Sequence, residues 1–403
     1  MFATIIAAIV AVLIFLKGAP EGAELPFTTL FGANALSIAS FFLLFPILVL
    51  SLAWIPLQRA EQNLTPRVSE LFRKDWASRF FIFWMFLFPL ASFIIGIDSL
   101  FLNVIGSKIG LIIWIVLFGI TLDVLYQFIR KIFSFLDPFA IVTKFSKQAD
   151  TSIQNDKEFE LCQWVDGLSE ICIKAIQHTS LSLASESVNA LQQASCNFLV
   201  ASKGLGHSPQ DEESKALGIT DKVSYTLFFI LQRLEMINDK ASEKHLEPLC
   251  SKLVTSLGKI VIAAAKYDIS LTTYPLHFLG RSTIAALNQN LKEVGPKAII
   301  TLVEVAKGIL TEVDVTYLEL QNPFLTLIAQ MQMISQEMFR RDKTLNIKML
   351  TQPFENLKSM FDTEKMRAHP DTKVIVQSID DVLSGFATLE AVMKSIPPIP
   401  VTE

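Results

Sequence analysis

Apolar residues gather into four long runs within the first 135 positions: Phe2–Leu16, Ala33–Leu57, Arg79–Val104 and Ile109–Phe135. No comparable run follows in the rest of the chain. A helix needs about 20 apolar residues to cross a hydrocarbon core of roughly 30 Å. The last three runs satisfy that length; the first is shorter. A secretory signal is its rival reading, but such a leader opens on a basic segment, and no Lys or Arg precedes Lys17. The expectation is a retained span. Thr4 and Ala8, like Ala7 and Ala11, lie one helical turn apart, a spacing of small residues that lets backbones approach closely in lipid.

Beyond Phe135 the apolar positions recur at helical spacing almost throughout, without the sustained alternation of strands. Asp137-Pro138 opens the first helix there. Further helices are predicted over Glu158–His178, Leu181–Lys203, Lys222–Asn238, Glu243–Tyr267, Tyr274–Glu293, Pro296–Val313, Pro323–Arg341, Asn346–Phe361 and Pro370–Ser395. The predicted fold is all-α: a bundle of four transmembrane helices (1–135) followed by a cytoplasmic helical domain. Within the latter, 136–203 reads as a helical hairpin region, 204–220 as a linker with an acidic run, 221–396 as a repeat-like array, and 397–403 as a Pro-rich tail. Pro248, Pro275, Pro296 and Pro323 open successive helices at spacings of 27, 21 and 27 residues, so a helix pair recurs every 48. That length approaches HEAT-like stacked hairpins, with an irregular helical bundle as the alternative.

Charge sets the expected orientation. The 57–79 connection carries Arg59, Arg67, Arg73, Lys74 and Arg79, and Arg130 and Lys131 close the fourth span. Basic residues stay on the cytoplasmic side, which places both termini and this loop inside, at an inner (cell) membrane. Trp54 and Trp76 flank the loop, where aromatic rings favour the headgroup level. Thr65-Pro66 predicts a helix start, and Val68, Leu71, Phe72 and Trp76 then share a face. The segment reads either as an interfacial helix, apolar side in lipid, or as an extension of the third span. The residues after Phe135 sum to net −6. An acidic surface excludes nucleic acid as a natural partner, because that ligand demands clustered Lys and Arg.

Candidate chemistry is sparse. Pro46 and Pro89 lie deep in the second and third spans, where each is expected to kink its helix. Asp123, Gln127 and Arg130 share a face of the fourth span; an ionisable group in a span is a site candidate, and an ion pair with Arg130 is the competing structural reading. Asp98 reads as a solvated cap. His178, His207, His245, His277 and His369 are too far apart for a helical zinc grip. Cys162, Cys172, Cys196 and Cys250 show no C-x-x-C spacing and read as buried thiols. Gly204-Leu205-Gly206 and Leu257-Gly258-Lys259 lack the remaining elements of phosphate-binding loops. No cofactor and no catalytic constellation are expected. The sequence therefore favours a non-enzymatic scaffold: helices in membrane lipid present an acidic helical domain to a protein partner, as an oligomer or a subunit of a larger assembly. The alternative is an oligomeric channel or transporter with a regulatory domain.

Overall fold

The computed structural model describes residues 2–17, 54–62, 64–98, 107–202 and 222–395, with isolated positions between 34 and 51; of these, the side chains of 13–17, 107–108 and 392–395 are not described. Regular structure among them is helical throughout, without a strand. Packing divides the chain into two units, Met1–Ile141 and Val142–Glu403.

The first unit contains α1 (Phe2–Lys17), α2 (Arg67–Lys74), α3 (Trp76–Ile97) and α4 (Ser107–Ser134). Much of the predicted second span, Pro46 included, lies outside the described residues, as does the 204–220 linker and the 397–403 tail. Trp76–Ile97 and Ile109–Ser134 are long and apolar enough to cross a membrane; Phe2–Val12 is apolar but shorter. Pro89 sits buried within α3, which continues past it to Ile97.

The loop helix differs from both expectations. Thr65 Oγ1 accepts a hydrogen bond from Arg67 N (3.3 Å), so the predicted start is present. The helix then ends at Lys74 because Asp75 adopts extended backbone (ψ 115°) and caps α3, accepting from Ser78 N and Ser78 Oγ (both 2.7 Å). Trp76 therefore belongs to a new helix and not to the face of Val68 and Leu71. Those two are buried against the chain, and Phe72 meets Phe135 edge-on at 5.4 Å. The apolar side of α2 faces protein.

The second unit is a two-layer array. After α5 (Pro138–Gln154), one layer stacks α6 (Glu158–Gln177), α8 (Lys222–Glu243), α10 (Thr273–Asn288), α12 (Gln321–Arg341) and α14 (Thr372–Ser395). The other stacks α7 (Leu181–Ser202), α9 (Glu247–Tyr267), α11 (Val294–Glu312) and α13 (Ile347–Met360). Pro275 and Pro323 each occupy the third position of a first-layer helix, and Pro296 the third of a second-layer helix. The 48-residue spacing is thus the repeat of one layer. Glu247–Tyr267 is also long and apolar enough to span a membrane. Its apolar positions are already covered: Leu253, Val254, Leu257, Ile260 and Val261 are buried between neighbouring helices of the array.

Turns out of the helices use left-handed residues without glycine: Asp156, Thr179, His245 and Asn290 have φ between 54° and 62°. At each, the next N–H reaches five residues back, as in Leu246 N to Ala241 O (2.9 Å) and Ser180 N to Ala175 O (2.8 Å). These are Schellman closures, which satisfy carbonyls that a helix end otherwise leaves open.

Candidate membrane interface

Helices α3 and α4 pair antiparallel along their length. Phe81 and Phe128 meet edge-on at 6.0 Å, with Met85 and Val124 in the same buried cluster. The polar atoms inside this hairpin are partnered across it. Trp84 Nε1 donates to Thr121 Oγ1 (3.2 Å) and Trp114 Nε1 to Ser92 Oγ (3.0 Å). These bonds give both indoles that lie inside the hairpin an acceptor on the facing helix. The opposite faces carry Phe83, Phe86, Leu90, Phe93, Ile94 and Ile113, all exposed.

Asp123 is not placed as the sequence suggested. Gln127 and Arg130 are exposed, whereas the Asp123 carboxylate turns to α1. It accepts from Ala3 N (3.3 Å) and Thr4 N (3.0 Å), and from Thr4 Oγ1. The first N–H groups of a helix have no partner within it, and the helix dipole favours an anion there. A carboxylate supplied by a neighbouring helix answers both demands. Asp123 lies about 12 Å along α4 from Lys131, so this pairing satisfies an acid set well inside the hairpin. Four residues earlier, Gly119 receives Ala7; a β-carbon on Gly119 would also come 3.0 Å from Ala3 O. Ala7 and Ala11 are buried in this seam, while Ala8, expected to share it with Thr4, is exposed. Asp98, expected to be solvated, is 8% exposed.

At the other end of the hairpin, Arg59, Arg73, Lys74, Trp76 and Arg79 are exposed and Arg67 is partly buried. Lys74 pairs with Glu70 (3.0 Å), and Lys131 pairs with Asp75. Burial works against the ionised form of Asp75, yet Lys131 and Ser78 hold its carboxyl below the usual range. Arg79 closes α2: its Nε donates to Arg73 O (3.0 Å) and its Nη2 to Lys74 O (3.2 Å). Sequence spacing could not disclose this, because the carbonyls it satisfies exist only once Asp75 breaks the helix.

In the array, adjacent first-layer helices are tied by polar rungs: Arg233 to Asp166 (2.8 Å), Arg281 to Glu235 (2.9 Å) and Gln330 to His277 (3.1 Å). Burial raises the Glu235 and Asp239 carboxyls, with Arg281 opposing it for both. Tyr225, Phe228 and Tyr274 stand exposed on α8 and α10, and Phe228 meets Tyr274 edge-on at 6.5 Å. Burial pushes the Cys162 thiol up to about 11 and raises Cys172, Cys196 and Cys250 as well, so these thiols are poor nucleophiles. His245 is a helix-end residue, and His369 accepts from Asp371 N (3.3 Å). Among the described residues no group of three His, Cys, Asp or Glu side chains is arranged to hold a metal ion.

No family model and no curated protein matches the chain. A solved structure described as a circular tandem repeat protein with novel repeat topology and enhanced subunit contact surfaces aligns over 89% of this chain and 88% of its own. Identity is 14% and the TM-score 0.36, a likeness too loose to carry the topology.

Proposed function

We propose that this chain is a membrane-anchored scaffold: its N-terminal helices lie in lipid and its acidic helical array engages a protein partner on the cytoplasmic side, within a larger assembly. One observation carries the reading. The α3–α4 hairpin turns its Trp84 and Trp114 indole donors inward onto Thr121 and Ser92 and its Phe83, Phe86, Leu90 and Phe93 outward, the inverse of a water-soluble hairpin. The array does the opposite, burying its aliphatic positions and tying its surface with ion pairs. Stacked hairpins of this kind offer extended binding faces, and Tyr225, Phe228 and Tyr274 supply aromatic anchors of the sort that dominate interfaces.

The channel or transporter alternative drew on Asp123 and the intramembrane prolines. With the Asp123 carboxylate accepting from the start of α1, that reading loses its main support. The test has two arms. The full chain should resist alkaline extraction from membranes and need detergent for release. Crosslinking before mild solubilisation should recover a stoichiometric partner, and Tyr225→Ala/Tyr274→Ala should reduce that recovery several-fold. Release by alkali would sink the anchor. A lone monomer under every mild condition would sink the scaffold.

A further inference from the structure

The joint between α2 and α3 combines features that a purely structural turn does not require. Trp76 is 75% exposed and stacks on Phe80 (5.6 Å, 21°). Phe83 follows one turn further on, so Trp76, Phe80 and Phe83 form the outward stripe of α3. Arg79 lies within that stripe, three residues after Trp76, and is exposed too. A guanidinium on a lipid-facing stripe is costly unless it reaches the headgroup level and finds acceptors. Arg79 finds acceptors: two of its nitrogens bond the Arg73 and Lys74 carbonyls, which fixes the orientation of its guanidinium at the start of α3. The nearby acids are accounted for, Glu70 by Lys74 and Asp75 by Lys131. Arg73 and Arg79 therefore leave a net positive charge where an indole marks the water–lipid boundary.

Resting on the membrane reading above, we infer that this joint binds the phosphate of an anionic lipid headgroup, with Arg73 and Arg79 as its ligands and the Trp76–Phe80 stack against the adjoining acyl chain. A guanidinium recognises phosphate through paired N–H donors, and each basic residue near an anionic leaflet adds attraction that a zwitterionic one lacks.

The test uses the full chain in maltoside micelles, titrated with phosphatidylglycerol, with phosphatidylcholine of the same acyl chains, or with inorganic phosphate, and read by native mass spectrometry and by thermal shift. Phosphatidylglycerol should be retained, with phosphatidylcholine and inorganic phosphate both binding at least tenfold more weakly. Arg73→Gln, whose side chain is exposed, should weaken phosphatidylglycerol retention about fivefold. Arg73→Gln/Arg79→Gln should weaken it further, while Arg79→Lys, which keeps the charge and loses the paired donors, should fall between. Lys222→Gln, on the array, serves as the control for nonspecific charge. Equal retention of the two lipids, equal binding of free phosphate, or a double variant that holds phosphatidylglycerol as tightly as the parent would each overturn the assignment. These outcomes are separate from alkaline extraction of the parent chain, which tests the anchor alone.

Discussion

Gly119 of α4 and Ala7 of α1 lie so close that the glycine's missing β-carbon is the space the alanine occupies. Association of helices in lipid rests on close packing, since the hydrophobic effect does not distinguish a neighbouring helix from an acyl chain. Gly119→Leu should therefore push α1 off α4, at a cost of about 1–3 kcal/mol for overpacking. Hydrogen exchange in detergent should show faster uptake across residues 2–12, with 76–97 unchanged. Unaltered protection of α1 would contradict the seam.

The acid beside that seam gives a second test with a built-in control. Asp123→Ala leaves the N–H groups of Ala3 and Thr4 without their acceptor, and loss of a helix cap costs about 1–2 kcal/mol. Asp123→Asn retains an acceptor oxygen and should lose only part of this. Graded exchange across residues 2–12, in the order parent, Asn, Ala, is the expected result. If ion leak in proteoliposomes tracked the charge while exchange stayed constant, a conduction role would displace the capping role.

How far the sequence discloses such relationships depends on their range. Helical periodicity located the array's helices to within a few residues: α9 ends at Tyr267 and α12 at Arg341, both as the spacing predicts. The 48-residue proline spacing anticipated the two-layer repeat because proline is favoured in a helix's first turn, and Pro275, Pro296 and Pro323 all sit there. Long-range pairings were hidden. Spacing along one helix suggested Asp123 with Arg130, but the acid's partners are 119 and 120 residues away on α1. Likewise the spacing carried the face of Val68, Leu71 and Phe72 on to Trp76, whereas Asp75 ends α2 and caps α3 while joined to Lys131.

The turn between α6 and α7 carries a strain that a single substitution should relieve. Thr179 is β-branched and sits at φ 56°, a left-handed backbone that costs such residues of order 1 kcal/mol or more. Thr179→Gly removes the β-carbon penalty, less the extra freedom glycine gains when unfolded. The expected net is a stabilisation of about 0.5–1 kcal/mol, measured by urea unfolding of the array followed by circular dichroism. Asn290→Gly, at φ 62°, should change little because Asn already tolerates this region. Destabilisation by Thr179→Gly would mean that the hydroxyl's bond to His178 O (2.7 Å) outweighs the strain.

Glu337 makes the array's stability depend on pH. Its carboxylate accepts three bonds of 2.7 Å, two from Arg340 and one from Arg341, and Arg341 in turn donates to Asn288 Oδ1 (2.6 Å) at the end of α10. The Arg340 bond chiefly draws the Glu337 pKa from 4.5 down to about 2. A carboxyl whose folded pKa lies below its unfolded value stabilises the fold fully above the unfolded pKa and loses that contribution as pH falls toward the folded one. The window is thus about pH 5 down to pH 2. Glu337→Gln should lower stability near pH 7 by about 1 kcal/mol, a modest value because Arg340 is largely exposed and screened. The gap between parent and variant should close on acidification to pH 2, as read from urea midpoints of the full chain in detergent. A gap that stayed constant from pH 7 to pH 2 would mean that shape rather than charge links α12 to the turn after α10.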